Sequence, residues 1–265
     1  MIAKMPTTSL IFVNYNSSQY LTKALESISL HEDRSQYELI IVNNDERETQ
    51  IIATLGNQYR ARVIESAGNV GFAKAVNQGV RTVNTPLVGL LNPDTLWVQT
   101  QLSEVETRLR QEECLIGLGL FDENGKQEQH GFGKRVHFLR LVENHLFRVT
   151  PSVSEKKRVD WVSGGALFFR KETFDTLGGF DEHYFLYYED VDFCERARQA
   201  GHPAYVYGDL KITHFRGKSQ KSPRAQKKAY YESQKYYFHK MRPWYEQILL
   251  RGFHFFKRCE NLDSY

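Results

Sequence analysis

Three short apolar runs, each stopped by a cluster of Asn and Asp, constrain the fold of this chain more than any other feature. Residues 9–13 (SLIFV) end at Asn14-Tyr15-Asn16, residues 38–42 (ELIIV) at Asn43-Asn44-Asp45, and Leu87–Leu91 (LVGLL) at Asn92-Pro93-Asp94. Runs this short, rich in Ile, Val and Leu, read as buried strands. Arg62–Glu65 is a further strand of the same kind. Helical spacing fills the gaps: Ser17 or Ser18 can cap a helix carrying Leu21, Leu25 and Ile28, residues 51–58 and 73–83 form two more, and residues 96–112 a fourth. Strands alternating with helices imply right-handed βαβ units and a mostly parallel sheet. Ligands of such sheets bind beyond the carboxyl ends of the strands, where these Asn and Asp clusters lie.

The second half is less regular. Asp122-Glu123-Asn124-Gly125 is a hairpin turn, and residues 134–157 are poorly patterned, as a loop or lid would be. Residues 160–170 (DWVSGGALFFR) read as a strand with a glycine pair, and residues 171–177 as a short helix stopped by Gly178-Gly179. Residues 190–200 form a helix capped by Gly201, residues 204–207 and 211–214 two short strands, and residue 225 onward is helical.

The length of 265 residues allows one large domain or two small ones, and 41% apolar with 25% charged residues fits a folded globular chain. Cys114, Cys194 and Cys259 are too scattered to form a disulfide framework or a structural zinc site by themselves, so a reduced cytosolic compartment is expected. The first apolar stretch is too short for a signal peptide, and no run approaches the ~18–20 residues of a spanning helix. The net charge of +3 hides a split. Residues 1–210 hold 22 Lys and Arg against 28 Asp and Glu, whereas residues 211–258 hold 13 against only Glu232 and Glu246. A basic end on an acidic body suggests an anionic partner.

Four clusters carry candidate chemistry. Asp94 ends a buried strand, where a carboxylate can hold Mg²⁺ or Mn²⁺; Asn-Pro-Asp is also good turn chemistry. Glu189, Asp190 and Asp192 open a helix. There they can serve capping and the helix dipole, but like charges this close raise one another's pKa, which suits a general base. Phe185, Tyr187 and Tyr188 beside them can exclude water, and Asp192 with Arg196 reads as a structural i,i+4 pair. His214 can ligate a metal, with Arg216 and Lys218 for phosphate, although a lone His is usually structural. In residues 69–77 (NVGFAKAVN), a glycine at a helix start lets backbone approach an anionic ligand. GxxxxGK[ST] and GxGxxG are both absent, so neither a P-loop nor a dinucleotide reading has support.

Taken in order, SLIFVNYNSS, ELIIVNN, NVGFAKAVNQG, LLNPDT, WVSGGALFFR, GGFDEHYFLYYEDVDFCERARQAG and THFRGKS resemble family 2 glycosyltransferases of the GT-A fold, most closely the bacterial rhamnosyltransferase-like members. The resemblance covers roughly residues 8–220. It implies a GT-A catalytic domain over residues 1–220 and a basic, aromatic helical extension over 221–265. It implies an inverting transferase using a nucleotide diphosphate sugar and Mg²⁺ or Mn²⁺. Asn14 and Asn16 would line the nucleotide pocket, and Asn43 would stand where the family often has an Asp that reads the pyrimidine. Asn69, Gly71, Phe72 and Asn92 would shape the donor site. Asp94 would be a metal ligand with His214 as the second, and Asn92 replaces the first Asp of the usual Asp-x-Asp. Asp190 would be the catalytic base, with Glu189 orienting it or binding acceptor, and Gly164, Gly165 and Tyr188 would meet the acceptor. The donor expected by resemblance is dTDP-rhamnose, and the acceptor a glycolipid or oligosaccharide of bacterial surface glycan synthesis. A UDP-sugar-dependent transferase (galactofuranosyl, galactosyl, glucosyl or N-acetylhexosaminyl) and a catalytically silent sugar-nucleotide-binding scaffold are the alternatives.

The basic end mixes Lys and Arg with Tyr230, Tyr231, Tyr236, Tyr237, Phe238, Trp244, Phe253, Phe255 and Phe256. It can pack on the catalytic body, adsorb to an anionic membrane face, or bind nucleic acid. No nucleic-acid motif accompanies it, and that reading leaves the acidic strand-end clusters unexplained. The expectation is a membrane surface, shared with a packing role, and a cytoplasmic protein peripheral at the inner face of the cell membrane.

Overall fold

The structure, a computed structural model, describes residues 5–128, 131–146, 153–215 and 223–260. The first half runs β1 (Thr8–Asn14), α1 (Ser18–His31), β2 (Tyr37–Asn43), α2 (Thr49–Tyr59), β3 (Arg62–Glu65), α3 (Phe72–Val80), β4 (Leu87–Leu91), β5 (Thr95–Trp97), α4 (Leu102–Gln111) and β6 (Leu115–Phe121). The second half runs β7 (Phe132–Gly133), α5 (Phe138–Leu146), β8 (Lys156–Val159), β9 (Trp161–Val162), β10 (Ala166–Arg170), α6 (Lys171–Thr176), α7 (Glu189–Gln199), β11 (Ala204–His214), α8 (Pro223–Met241) and α9 (Trp244–Glu260).

One sheet has the order β3-β2-β1-β4-β10-β6-β11-β5, with β8 also on β11, and β7 pairs with β9 in a separate ribbon. The parallel expectation holds for β3, β2, β1 and β4 and again for β6 with β11. β10 runs antiparallel to both its neighbours, and β5 and β8 run antiparallel to β11, so the sheet is mixed. Alternate residues of each central strand feed two cores. Leu10 and Phe12 face α1 and α4 through Leu21, Leu25, Leu102 and Val105; Ile11 and Val13 face α3 and α7 through Ala73, Val76 and Phe193. Burial on both faces explains why these strands read as unbroken apolar runs.

Three local readings differ from the sequence expectation. Residues 96–112 are not one helix. Buried Trp97 belongs to β5, and its indole N–H donates to Glu32 at the end of α1. The same Glu32 oxygen accepts the N–H groups of Gln101 (2.7 Å) and Leu102 (3.0 Å), so a carboxylate about seventy residues upstream fixes where α4 starts. Residues 160–170 split into β9 and β10 at the Ser163-Gly164-Gly165 turn, and residues 204–214 form one strand with a register shift between Tyr207 and Lys211. The poorly patterned segment contains α5 and the start of β8. Cys114 and Cys194 are buried free thiols, and the Cys259 side chain lies outside the described residues.

The C-terminal helices pack on the body. Tyr237, Phe238 and Leu250 are buried in the α3–α7 core. Lys240 bridges Asp181 and Asp192, each at 2.7 Å, and the Tyr236 hydroxyl donates to Asp181. Burial alone would raise the Asp181 carboxyl, but the hydrogen bonds from Lys240, His183 and Tyr236 outweigh it and hold the group well below the usual range. A depressed carboxylate contributes stability above its unfolded value of ~3.9, and the contribution fades as pH falls towards the folded value. Lys240→Met is therefore expected to cost about 1–3 kcal/mol in denaturant unfolding at neutral pH, with the difference from the parent shrinking below about pH 4. A difference that does not depend on pH would contradict the ion-pair origin.

Candidate active site

The site lies at the carboxyl ends of β1, β2 and β4. Asn14 and Asn43 are paired residues of β1 and β2, both buried. Asn14 Nδ2 donates to Asn43 Oδ1 (3.0 Å) and to Glu48 (3.0 Å), and Asn43 Nδ2 donates to Glu65 (2.8 Å). Asn43 Oδ1 also accepts the Asp45 N–H. The carbonyl expected to meet a pyrimidine N–H is thus tied to two protein donors. Asn16, two residues beyond β1, adopts a left-handed φ of 50°. Ser17 does not cap α1 with its side chain; its hydroxyl donates to Asn14 Oδ1. Glu48 takes the cap instead, accepting the N–H groups of Ser17 and Ser18 and the Ser18 hydroxyl. A carboxylate at a helix N-terminus satisfies orphan donors and meets the positive end of the dipole.

The NVGF loop docks on the segment that precedes α7. Gly71 has φ +89°, and a Cβ there would stand 2.6 Å from Phe185 O, so only glycine fits. Phe72 N–H donates to the same carbonyl (2.8 Å), while Asn69 Oδ1 accepts the Gly71 N–H.

Antiparallel pairing of β10 with β4 brings the glycine turn onto the Asn-Pro-Asp turn. Asn92 N–H donates to Gly165 O (3.0 Å), and a Cβ on Gly165 would reach the Asn92 amide. Gly164 N–H donates to Asp190 Oδ2 (2.9 Å), and a Cβ on Gly164 would meet the Phe72 ring at 3.2 Å. Asn92, Gly164, Gly165, Phe72 and Asp190 therefore meet around one point. Burial raises the Asp190 carboxyl, opposed by the N–H groups of Gly164 and Val191. Burial, and then the Asp190 charge, holds Glu189 well above the usual range, and Glu189 Oε2 has no hydrogen-bond partner among the described residues.

Tyr187 and Tyr188 both adopt φ +69°. Two successive left-handed aromatic residues cost about 1–3 kcal/mol each and persist only where the surroundings impose them. Here α8 does so: Ser233 donates to Leu186 O (2.8 Å), Gln234 Nε2 donates to the Tyr188 hydroxyl (2.7 Å), and the Tyr230 ring packs on both tyrosines. The Tyr188 hydroxyl, expected at the acceptor, is thus engaged by α8. Asp192 is fully buried and pairs with Arg196 at 2.7 Å, as its spacing implied.

β5–β11 pairing sets His214 opposite Thr95, and so beside Asp94. His214 Nε2 stands 3.2 Å from Asp94 Oδ1, and Nδ1 stands 3.0 Å from Glu128. Burial alone would lower this imidazole; the two carboxylates outweigh it and raise it to about 9. Adjacent ligands of one six-coordinate cation at ~2.1 Å are about 3 Å apart, so the Asp94–His214 separation fits a shared divalent ion. Among the described residues no group of three or more His, Cys, Asp and Glu could hold a metal. Two protein ligands leave the remaining positions to phosphate oxygens and water. Arg216 and Lys218 lie outside the described residues. Glu48, Glu128 and Gln234 were not singled out in the sequence, because each acts on a residue far along the chain.

A mannosyltransferase from Pyrobaculum calidifontis, solved with GDP-Man and Mn²⁺, has the same fold: TM-score 0.63 at 17% identity, covering 89% of this chain and 64% of that one. The fold is that of a GT-A glycosyltransferase, with a mixed central sheet flanked by helices. The chain belongs to glycosyltransferase-like family 2, whose model matches residues 6–233. It is 24% identical over 244 residues to an N-acetylglucosaminyl-diphospho-decaprenol L-rhamnosyltransferase of Mycobacterium tuberculosis, covering 79% of this chain and 76% of the relative. It is 26% identical over 212 residues to the rhamnosyltransferase WbbL of Escherichia coli K12, covering 72% and 77%.

Proposed function

We propose that the chain is an inverting, metal-dependent glycosyltransferase that moves rhamnose from dTDP-rhamnose to a hydroxyl of a lipid-linked or polysaccharide acceptor in bacterial surface glycan synthesis. The observation that carries this reading is the 3.2 Å approach of Asp94 and His214 at the sheet end where Asp190 is also held. The two rhamnosyltransferase relatives, one of them named for a diphospho-decaprenol substrate, support the donor sugar and the lipid-linked acceptor.

Mg²⁺ or Mn²⁺ held by Asp94 and His214 would neutralise charge growing on the leaving diphosphate. Asp190 takes the acceptor hydroxyl proton as that oxygen attacks the anomeric carbon. The bond from the anomeric carbon to the diphosphate oxygen breaks in line, so the centre inverts. Base assistance of this kind is worth ~10²–10⁴-fold, and the raised Asp190 carboxyl suits it. Glu189 orients Asp190 or receives a hydroxyl of the acceptor. Asn14, Asn16, Asn43, Asn69, Gly71, Phe72 and Asn92 form the donor side, with Asn14 and Asn43 shaping it as a rigid wall. A thermal-shift screen of nucleotide sugars with Mn²⁺ tests the donor, because a ligand of the native state raises its apparent stability. The largest shift is expected with dTDP-rhamnose; a larger shift with a UDP-sugar would overturn that choice and select the alternative donor class.

We also propose that α9 rests on an anionic membrane surface at the cytoplasmic face. Trp244, Tyr245, Ile248 and Leu249 share one helix face and are 47–71% exposed, beside the cationic Arg251. Aromatic and aliphatic side chains next to positive charge suit an interfacial helix. No helix among the described residues is long and apolar enough to cross a membrane. Full-length protein carrying Ile248→Glu and Leu249→Glu is expected to lose about tenfold or more in binding to phosphatidylglycerol vesicles at low salt. Equal binding by variant and parent would overturn the membrane role of this face.

A further inference from the structure

Glu128 follows the Asp122–Gly125 turn, and its N–H donates to Leu120 O (2.8 Å), which ties the chain back onto β6. Both its carboxylate oxygens reach His214 Nδ1, at 3.0 and 3.1 Å. On the opposite edge of the same ring, Nε2 faces Asp94 Oδ1 at 3.2 Å. The three side chains are largely buried, with Glu128 only 8% exposed. A neutral imidazole carries its hydrogen on one nitrogen and a lone pair on the other, and an ionised carboxylate can only accept. Glu128 therefore accepts the hydrogen on Nδ1, and Nε2, which faces Asp94, is the nitrogen left to ligate once a cation displaces its hydrogen. A ligating imidazole commonly has such an outer partner, which fixes its tautomer and ring orientation and raises its basicity.

We propose that Glu128 is a positioning residue for the divalent cation: by accepting His214 Nδ1–H it fixes the ring so that Nε2, next to Asp94, is the nitrogen aimed at the cation. The inference rests on the glycosyltransferase reading with Asp94 and His214 as metal ligands. No motif of the sequence contains Glu128, and only the turn at Asp122–Gly125 brings it to a strand end some 86 residues away in sequence.

The test is Mn²⁺ binding to the full chain, followed by loss of the free-ion EPR signal with Mn²⁺ alone and with Mn²⁺ plus dTDP. Glu128→Leu is expected to weaken Mn²⁺ binding about 10- to 100-fold, and Glu128→Gln, which keeps a neutral acceptor, by less. Thermal unfolding in EDTA should leave Glu128→Gln close to the parent. In turnover, saturating Mn²⁺ should restore most of kcat in Glu128→Gln, because the metal ligands are intact. If Glu128→Leu does not fold, Glu128→Gln decides. Parent-like Mn²⁺ affinity in Glu128→Gln, with Asp94→Ala weakened, would overturn the role of Glu128 alone. Parent-like affinity in Asp94→Ala as well, or no binding by the parent, would overturn the metal reading on which it rests.

Discussion

Asp190→Asn is expected to lower transfer by ~10²–10⁴-fold while leaving donor affinity nearly unchanged. The two side chains have the same shape, and Asn Oδ1 can still accept the Gly164 N–H that holds Asp190. What disappears is the lone pair able to take a proton from the acceptor hydroxyl. The loss should therefore fall on kcat, with thermal shifts by nucleotide sugar and Mn²⁺ close to those of the parent. Glu189 does not replace the lost base: it is buried, and burial above all, then the Asp190 charge in the parent, holds its carboxyl well above the usual range. Full activity in Asp190→Asn would show that the base has been misassigned.

Asp94→Ala should fail differently. It removes the carboxylate that meets His214 Nε2 and leaves Glu128 on Nδ1. Donor binding is expected to lose its dependence on Mn²⁺ or Mg²⁺, and turnover to fall by about 10²-fold or more, since a clamp on the departing phosphates is typically worth several kcal/mol. The contrast separates the two roles: the Asp190 variant binds donor and does not transfer, whereas the Asp94 variant binds donor poorly whatever the metal concentration. Metal-stimulated donor binding retained in Asp94→Ala would remove this residue from the cation site.

The strand ends were legible because physics marks them locally. Residues 10–13, 39–42 and 87–91 are buried on both faces and so read as unbroken apolar runs, and polar residues resume where each strand leaves the sheet. Asp94 follows such an end, His214 closes β11 and Asp190 opens α7, and Gly71 is required by its close approach to Phe185. What could not be read was supplied by distant partners. Glu32 fixes the start of α4, Glu48 caps α1, Glu128 holds His214, and Gln234 holds Tyr188. None of these carries a local pattern, because a carboxylate or amide that serves another segment looks like any surface residue in its own. Residues 96–112 read as a helix for the same reason: the competing interaction, Trp97 against Glu32 and Phe168, is tertiary.

The uneven charge also takes on a more definite form. Part of the basic end is internal wiring, with Lys240 spent on Asp181 and Asp192 and with Tyr237 and Phe238 in the core. The face proposed for an anionic surface is centred on Trp244, Ile248 and Leu249 of α9, which are exposed.

The most direct measurement is nucleoside diphosphate release from a panel of nucleotide sugars, with Mn²⁺, Mg²⁺ or EDTA and with cell-envelope lipid as acceptor. Release from one donor, dependent on metal and lost in Asp190→Asn, is the expected result. Absence of turnover with every donor and lipid, or turnover that survives EDTA and Asp94→Ala together, would contradict a metal-dependent transferase built on these residues.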